Sequence, residues 1–145
     1  MTDIAVPCSV VALTVYAMWA IVLVVLIALS RVSQVMSGKA TITDFPSGTK
    51  HGGDAYWRLN RAHLNTLENL PIFGALVLAG WVAGLDNPTF NMLATVIVAA
   101  RVVQSLIHIT SGSALAINLR FLSLLVQIVC EVWMAVAIFH VAKVF

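Results

Sequence analysis

The sequence predicts an all-α fold, a single four-helix bundle embedded in a membrane and occupying residues 1–145. Two observations carry that prediction. The chain is 61% hydrophobic and only 10% charged, which leaves too little polar surface to enclose one soluble core of this length. It also divides into four helical segments that each exceed the ~20 residues needed to cross a ~30 Å hydrocarbon layer. Helices suit that setting because they satisfy their own backbone groups where no water is at hand.

The first helix is expected from about Ser9 to Ser37. Neither a basic leader nor a small-residue cleavage site flanks it, so it is read as a retained span rather than a signal peptide. It stops at the Gly-, Thr- and Lys-containing stretch from Gly38 to Asp54, which is the one long loop. The second helix is expected from about Ala55 to Gly84. Leu85-Asp86-Asn87-Pro88 then makes a short turn, with Pro88 in the first turn of a third helix that runs to about Thr110. Ser111-Gly112-Ser113 breaks that helix, and a fourth extends from about Ala116 to Val144.

Four spans place both termini on one side. Lys39, Lys50, Arg58, Arg61 and Arg120 flank the opposite side, whereas the terminal side offers Asp3, Asp86 and Lys143. The positive-inside rule therefore predicts a cytoplasmic long loop and both termini on the non-cytoplasmic side. Tyr56, Trp57 and Trp81 are expected as interfacial anchors. The net charge of +2 is small and its basic residues are scattered, which gives no footprint for nucleic acid. Cys8 and Cys130 have neither metal-ligand spacing nor a disulfide framework and read as packing residues.

The second helix is more than an anchor. At ~100° per residue, Arg58, Arg61, Asn65 and Glu68 share a sector of roughly 80°, a polar face that must meet protein or a wet cavity. His63 falls outside it. Arg101, Gln104 and His108 form a second stripe on the third helix. At ~1.5 Å per residue, Glu68 lies about 20 Å and Arg101 about 16 Å from the loop-side ends, and Glu131 of the fourth helix reaches similar depth. Arg101 and Glu131 are expected as a supporting ion pair, and such a network has a purely structural reading as a lock on helix register. Arg58 and Arg61 add two cations to a face with one acid, which an anionic ligand would balance. No metal is expected, because His63, His108 and Glu68 lack the spacing of a metal motif. No phosphate loop or dinucleotide fingerprint occurs, and Gly80 and Gly84 form a small-residue pair that permits close helix packing.

The run Arg61-Ala62-His63-Leu64-Asn65-Thr66-Leu67-Glu68-Asn69-Leu70-Pro71-Ile72-Phe73 resembles the signature of the MAPEG family, the membrane-associated proteins in eicosanoid and glutathione metabolism. Arg101-Val102-Val103 matches as well, and the chain is similar to prokaryotic-type members. The resemblance implies a homotrimer in the bacterial inner membrane, in contact with membrane lipids. It implies reduced glutathione bound between subunits toward the cytoplasmic side, and a lipophilic substrate entering from the bilayer. By position it assigns the cofactor to Arg61, Asn65 and Glu68, with Arg58, Arg31 and Gln104 as further contributors and Arg101 in support. It makes Arg120 the catalytic arginine that favours the thiolate. His108 stands where the eukaryotic enzymes carry a tyrosine that contacts the thiol, and Gln104 where they carry His or Tyr. The expected function is a glutathione-dependent membrane transferase or peroxidase acting on lipophilic electrophiles or lipid hydroperoxides by thiolate attack. A non-catalytic lipid-binding or scaffold member of the same fold, and an unrelated small transporter, are the alternatives.

Overall fold

The computed structural model describes residues 6–46 and 48–143, and among them finds four long α-helices and no strand. These are α1 (Cys8–Met36), α2 (Asp54–Val82), α3 (Pro88–Thr110) and α4 (Ala114–Val141). Each begins and ends within about three residues of its expected bounds. Asp3 and Val144 lie outside the described residues.

Local chemistry sets the ends. Gly38 (φ +67°) and Gly84 (φ +74°) take the left-handed conformation that closes a Schellman motif. In the first, Lys39 N–H returns to Gln34 O at 2.9 Å; in the second, Leu85 N–H returns to Gly80 O at 2.8 Å. The Asn87 side chain caps α3 by accepting from Phe90 N–H at 2.9 Å, with Pro88 following it. Ser113 caps α4 by accepting from Ala116 N–H at 3.2 Å. Pro71 lies inside α2, where it removes one backbone donor from the helix ladder.

Sequential helices run antiparallel. Arg31 near the end of α1 meets Tyr56 at the start of α2, and Arg58 of α2 meets Ile109 at the end of α3. Gln104 of α3 meets Arg120 near the start of α4, while Ser9 N–H donates to Asn91 Oδ1 at the far end. The long loop and the α3–α4 connection thus share one end of the bundle, and the start of α1 and the end of α4 lie at the other. α3 packs on all three other helices.

The core between them is built on Tyr16, Phe73, Val77, Phe90, Ile97 and Met134, all essentially buried. Leu29, Val32, Leu122, Val129 and Trp133 face outward, an apolar belt that lipid would solvate. α1, α3 and α4 are each long and apolar enough to cross a membrane. α2 equals α1 in length at 29 residues, but Arg58, Arg61, His63 and Glu68 make its loop-end half too polar to face lipid. The protein is therefore a membrane protein whose polar second helix packs against three apolar ones and leaves Arg61 and Glu68 exposed.

The long loop is pinned rather than merely solvated. It carries a 3-10 turn, η1 (Ile42–Asp44), closed by a reciprocal bond pair between Thr41 and Asp44. Thr41 N–H donates to the Asp44 carboxylate at 2.7 Å, which holds that carboxyl below its usual range. Phe45, His51, Tyr56 and Trp57 form a ring cluster with centroids 5.3–6.1 Å apart, and Arg31 lies 5.3 Å over Phe45. Tyr56, expected at the lipid interface, is instead buried here, because its hydroxyl accepts from Arg31 Nε at 2.6 Å. Trp81 is half exposed at the opposite end of α2.

Gly80 is the tightest approach in the bundle. A Cβ built there would lie 2.3 Å from Phe90 Cζ, and that ring is 1% exposed and cannot swing away. Gly80→Leu should therefore destabilise the fold by at least the ~1–3 kcal/mol typical of core overpacking, read as a lowered thermal midpoint in detergent. An unchanged midpoint would mean that α2 and α3 separate here at no cost.

Candidate functional site

The polar stripe of α2 does not end in lipid. It faces a cleft between α2, α3 and α4 at the loop end, formed by two adjoining compartments. The outer one, about 350 Å³, is lined by Arg61, Asn65, Gln104, His108, Arg120 and an apolar wall of Ile117, Phe121 and Leu124. The inner one, about 170 Å³, is lined by Asn65, Glu68, Asn69, Arg101, Gln104 and Leu124. Asn65, Gln104 and Leu124 border both. Three helices thus contribute one guanidinium each, Arg61 from α2, Arg101 from α3 and Arg120 from α4, and Glu68 is the acid among them.

Periodicity explains why these side chains meet. Arg61, Asn65 and Glu68 recur at four and three residues on α2, and Arg101, Gln104 and His108 at three and four on α3. On α4, Ile117, Arg120, Phe121 and Leu124 recur at the same spacings and turn one face into the cleft. Ile117 and Phe121 are also exposed on the outside of the bundle, so the cleft opens along α4 toward the apolar belt.

Behind the cleft lies a buried amide network. Arg101, 3% exposed, donates through Nη1 to Gln104 Oε1 at 2.8 Å and to Asn65 O at 3.2 Å. Gln104 Nε2 donates to the backbone carbonyl of Arg120 at 2.8 Å, and Gln127 Nε2 donates to Gln104 Oε1 at 3.3 Å. Gln104 therefore bonds protein through both ends of its amide, which links Arg101 to the start of α4, and it still lines both compartments with one N–H not used in these bonds. Arg101 Nε is buried without a hydrogen-bond partner among the described residues. An unpartnered donor of that kind is costly unless something else satisfies it.

Arg101 and Glu131 do not form the direct ion pair expected of them. The only salt bridge among the described residues is the exposed pair Lys50–Asp54 at 2.8 Å. Glu131 instead accepts from Asn69 Nδ2 at 2.7 Å, while Arg101 is taken up by Gln104 and Asn65. The two charges still act on one another electrostatically, as do Glu68 and Arg101. Amides take up both charged groups, Gln104 at Arg101 and Asn69 at Glu131, and Gln127 of α4 bonds to Gln104 beside them.

Two expected contributors lie elsewhere in the single chain. Arg58 donates from Nε to Ile109 O at 3.1 Å, where it caps the carbonyl end of α3, and it lines neither compartment. Arg31 lies on the other flank of α2, in a cavity of about 450 Å³ with His51, Trp57, His63 and, at its border, Arg61. The residues not anticipated are Asn69, Gln127 and the α4 wall. Gln127 and Glu131, four residues apart in the apolar second half of α4, were the signal for a polar stripe there. Cys130 is buried in the core beside that stripe, and both cysteines are free.

The model of the MAPEG family matches residues 9–140, which is nearly the whole chain and contains every residue of the cleft. No curated protein matches.

Proposed function

The chain belongs to the MAPEG family, and from that premise we propose that the cleft binds reduced glutathione and that the protein is a glutathione-dependent membrane transferase or peroxidase acting on lipophilic electrophiles or lipid hydroperoxides. The observation that carries this reading is the convergence of Arg61, Arg101 and Arg120 from three helices around one acid, Glu68.

That set of groups fits the ligand. Glutathione presents two carboxylates, one ammonium and a thiol, so a site for its thiolate form needs an excess of cations with one acid among them. Arg61 can clamp a carboxylate by charge-assisted bonds, and Glu68 can take the ammonium. The guanidinium of Arg101 adds positive charge at the wall of the inner compartment. The outer compartment of about 350 Å³ lies within the ~300–1,000 Å³ usual for small-molecule sites.

Bound there, glutathione supplies the sulfur nucleophile. The guanidinium of Arg120 keeps the proton off that sulfur by stabilising its negative charge, and the Gln104 bond to the Arg120 carbonyl fixes where the side chain starts. His108 lines the outer compartment with Arg120, which supports giving it the hydrogen bond to the sulfur that the eukaryotic enzymes give to tyrosine. Ile117, Phe121 and Leu124 offer a lipophilic partner a path from the bilayer.

Arg31 lies on the other flank of α2, in the cavity that Arg61 also lines. From its family, the reading includes a homotrimer whose sites lie between subunits. It also includes a cytoplasmic loop end in the bacterial inner membrane, which the Lys and Arg bias of that end supports. A non-catalytic lipid-binding or scaffold role is the second reading, favoured by His108, which stands where the eukaryotic enzymes carry the tyrosine that contacts the thiol.

Calorimetric titration of the detergent-purified protein with reduced glutathione tests the proposal. Saturable binding is expected, weakened at least tenfold in Arg61→Ala, in line with the ~1.5–3 kcal/mol of a hydrogen bond to a charged group. Absence of binding by the folded wild type would refute it. Binding without turnover of any electrophile or hydroperoxide would leave the non-catalytic reading.

A further inference from the structure

One charged group of the cleft region has no part in the reading above. Glu131 is 7% exposed on α4, does not line the inner compartment, and accepts a hydrogen bond from Asn69 Nδ2 at 2.7 Å. Asn69 sits next to Glu68 in sequence and lines the same compartment. A carboxylate accepts hydrogen bonds and does not donate them, so its bond to Asn69 decides which way that planar amide lies. The NH2 end is held against Glu131, and the carbonyl oxygen Oδ1 is left as the end available to a ligand. An oxygen acceptor beside a carboxylate suits a cation, not a second anion.

Resting on the glutathione reading, we infer that Asn69, oriented by Glu131, is a second acceptor for the ligand's ammonium group and sets specificity for thiol peptides with a free α-amine. Glu68 supplies the charge and Asn69 Oδ1 a directed acceptor. Three N–H bonds of an ammonium need several acceptors, and one carboxylate rarely satisfies all of them. Glu131 is then a positioning residue, separated from the ligand by the amide it holds. Its burial acquires a function: an exposed acid at this depth would bind the cation itself, whereas a covered one fixes the amide.

The test compares reduced glutathione with its N-acetylated form, which lacks the ammonium, by titrating wild type, Asn69→Leu and Glu131→Gln in detergent. Wild type should bind the free-amine peptide far more tightly. Asn69→Leu, nearly isosteric, should reduce that preference roughly tenfold, the scale of one hydrogen bond to a charged group. Glu131→Gln should reduce it several-fold, because a glutamine can donate or accept and no longer dictates the orientation of Asn69. General loosening of the site would weaken both ligands alike and leave their ratio unchanged. A ratio in Asn69→Leu equal to that of wild type overturns the inference while the glutathione reading stands. If Asn69→Leu does not fold, an unchanged ratio in Glu131→Gln overturns it equally. Failure of the wild type to bind either peptide overturns the underlying reading instead.

Discussion

Replacement of Arg120 by leucine is expected to lower turnover of a lipophilic electrophile by about 10²–10³-fold, the loss seen when one preorganised electrostatic donor is removed from a reacting centre. Binding of glutathione should change only a few-fold, because Arg61 and Glu68 are untouched. The reason lies in how the residue is set. Its side chain lines the outer compartment with His108, and its backbone carbonyl is held by Gln104 Nε2 at 2.8 Å. A guanidinium in that compartment favours the ionised form of a nearby thiol and lowers its pKa. Without it the thiol pKa rises, so the acid limb of the pH–rate profile should move to higher pH and activity should partly recover there. Arg120→Lys should retain an intermediate rate. Stopped-flow measurement of thiolate absorbance on mixing with glutathione reads the same quantity directly. An undiminished thiolate signal in Arg120→Leu would show that another group, His108 being the nearest candidate, carries that role.

The second large effect concerns folding. Arg101→Leu should destabilise the bundle by about 3–5 kcal/mol, the scale of breaking a buried charge arrangement from one side. The substitution removes the donor to Gln104 Oε1 and Asn65 O and leaves Glu131, 7% exposed, without the nearby positive charge. Arg101→Leu with Glu131→Leu should regain a good part of that loss, because apolar replacements of buried charges are often neutral or stabilising. The two residues do not touch, so recovery would measure electrostatic coupling at a distance, expressed as the interaction term of a double-mutant cycle. Thermal unfolding in detergent supplies the numbers. Equal and additive losses from the two single variants would show that each charge is held by its own amide alone.

These two residues differ in how far they could be read in advance. The sequence by itself determined the helical class and the four elements to within about three residues, because hydropathy, Gly38, Gly84, Asn87 and Ser113 act locally. It also determined that Arg61, Asn65 and Glu68 share one face and Arg101, Gln104 and His108 another, since helical periodicity is a property of one segment. The cleft formed where those stripes meet.

Only the tertiary structure decided what each polar group bonds to. Arg58, on the same face as Arg61, is drawn one turn away to the carbonyl end of α3, and Arg31 is placed on the opposite flank of α2. Arg101 meets Gln104 instead of Glu131, and Glu131 meets Asn69. The physical reason is rotation. The angle at which each helix faces its neighbours is fixed by the whole packed interface, including the close approach of Gly80 to Phe90, and an atom moved by a few ångströms there exchanges one hydrogen-bond partner for another.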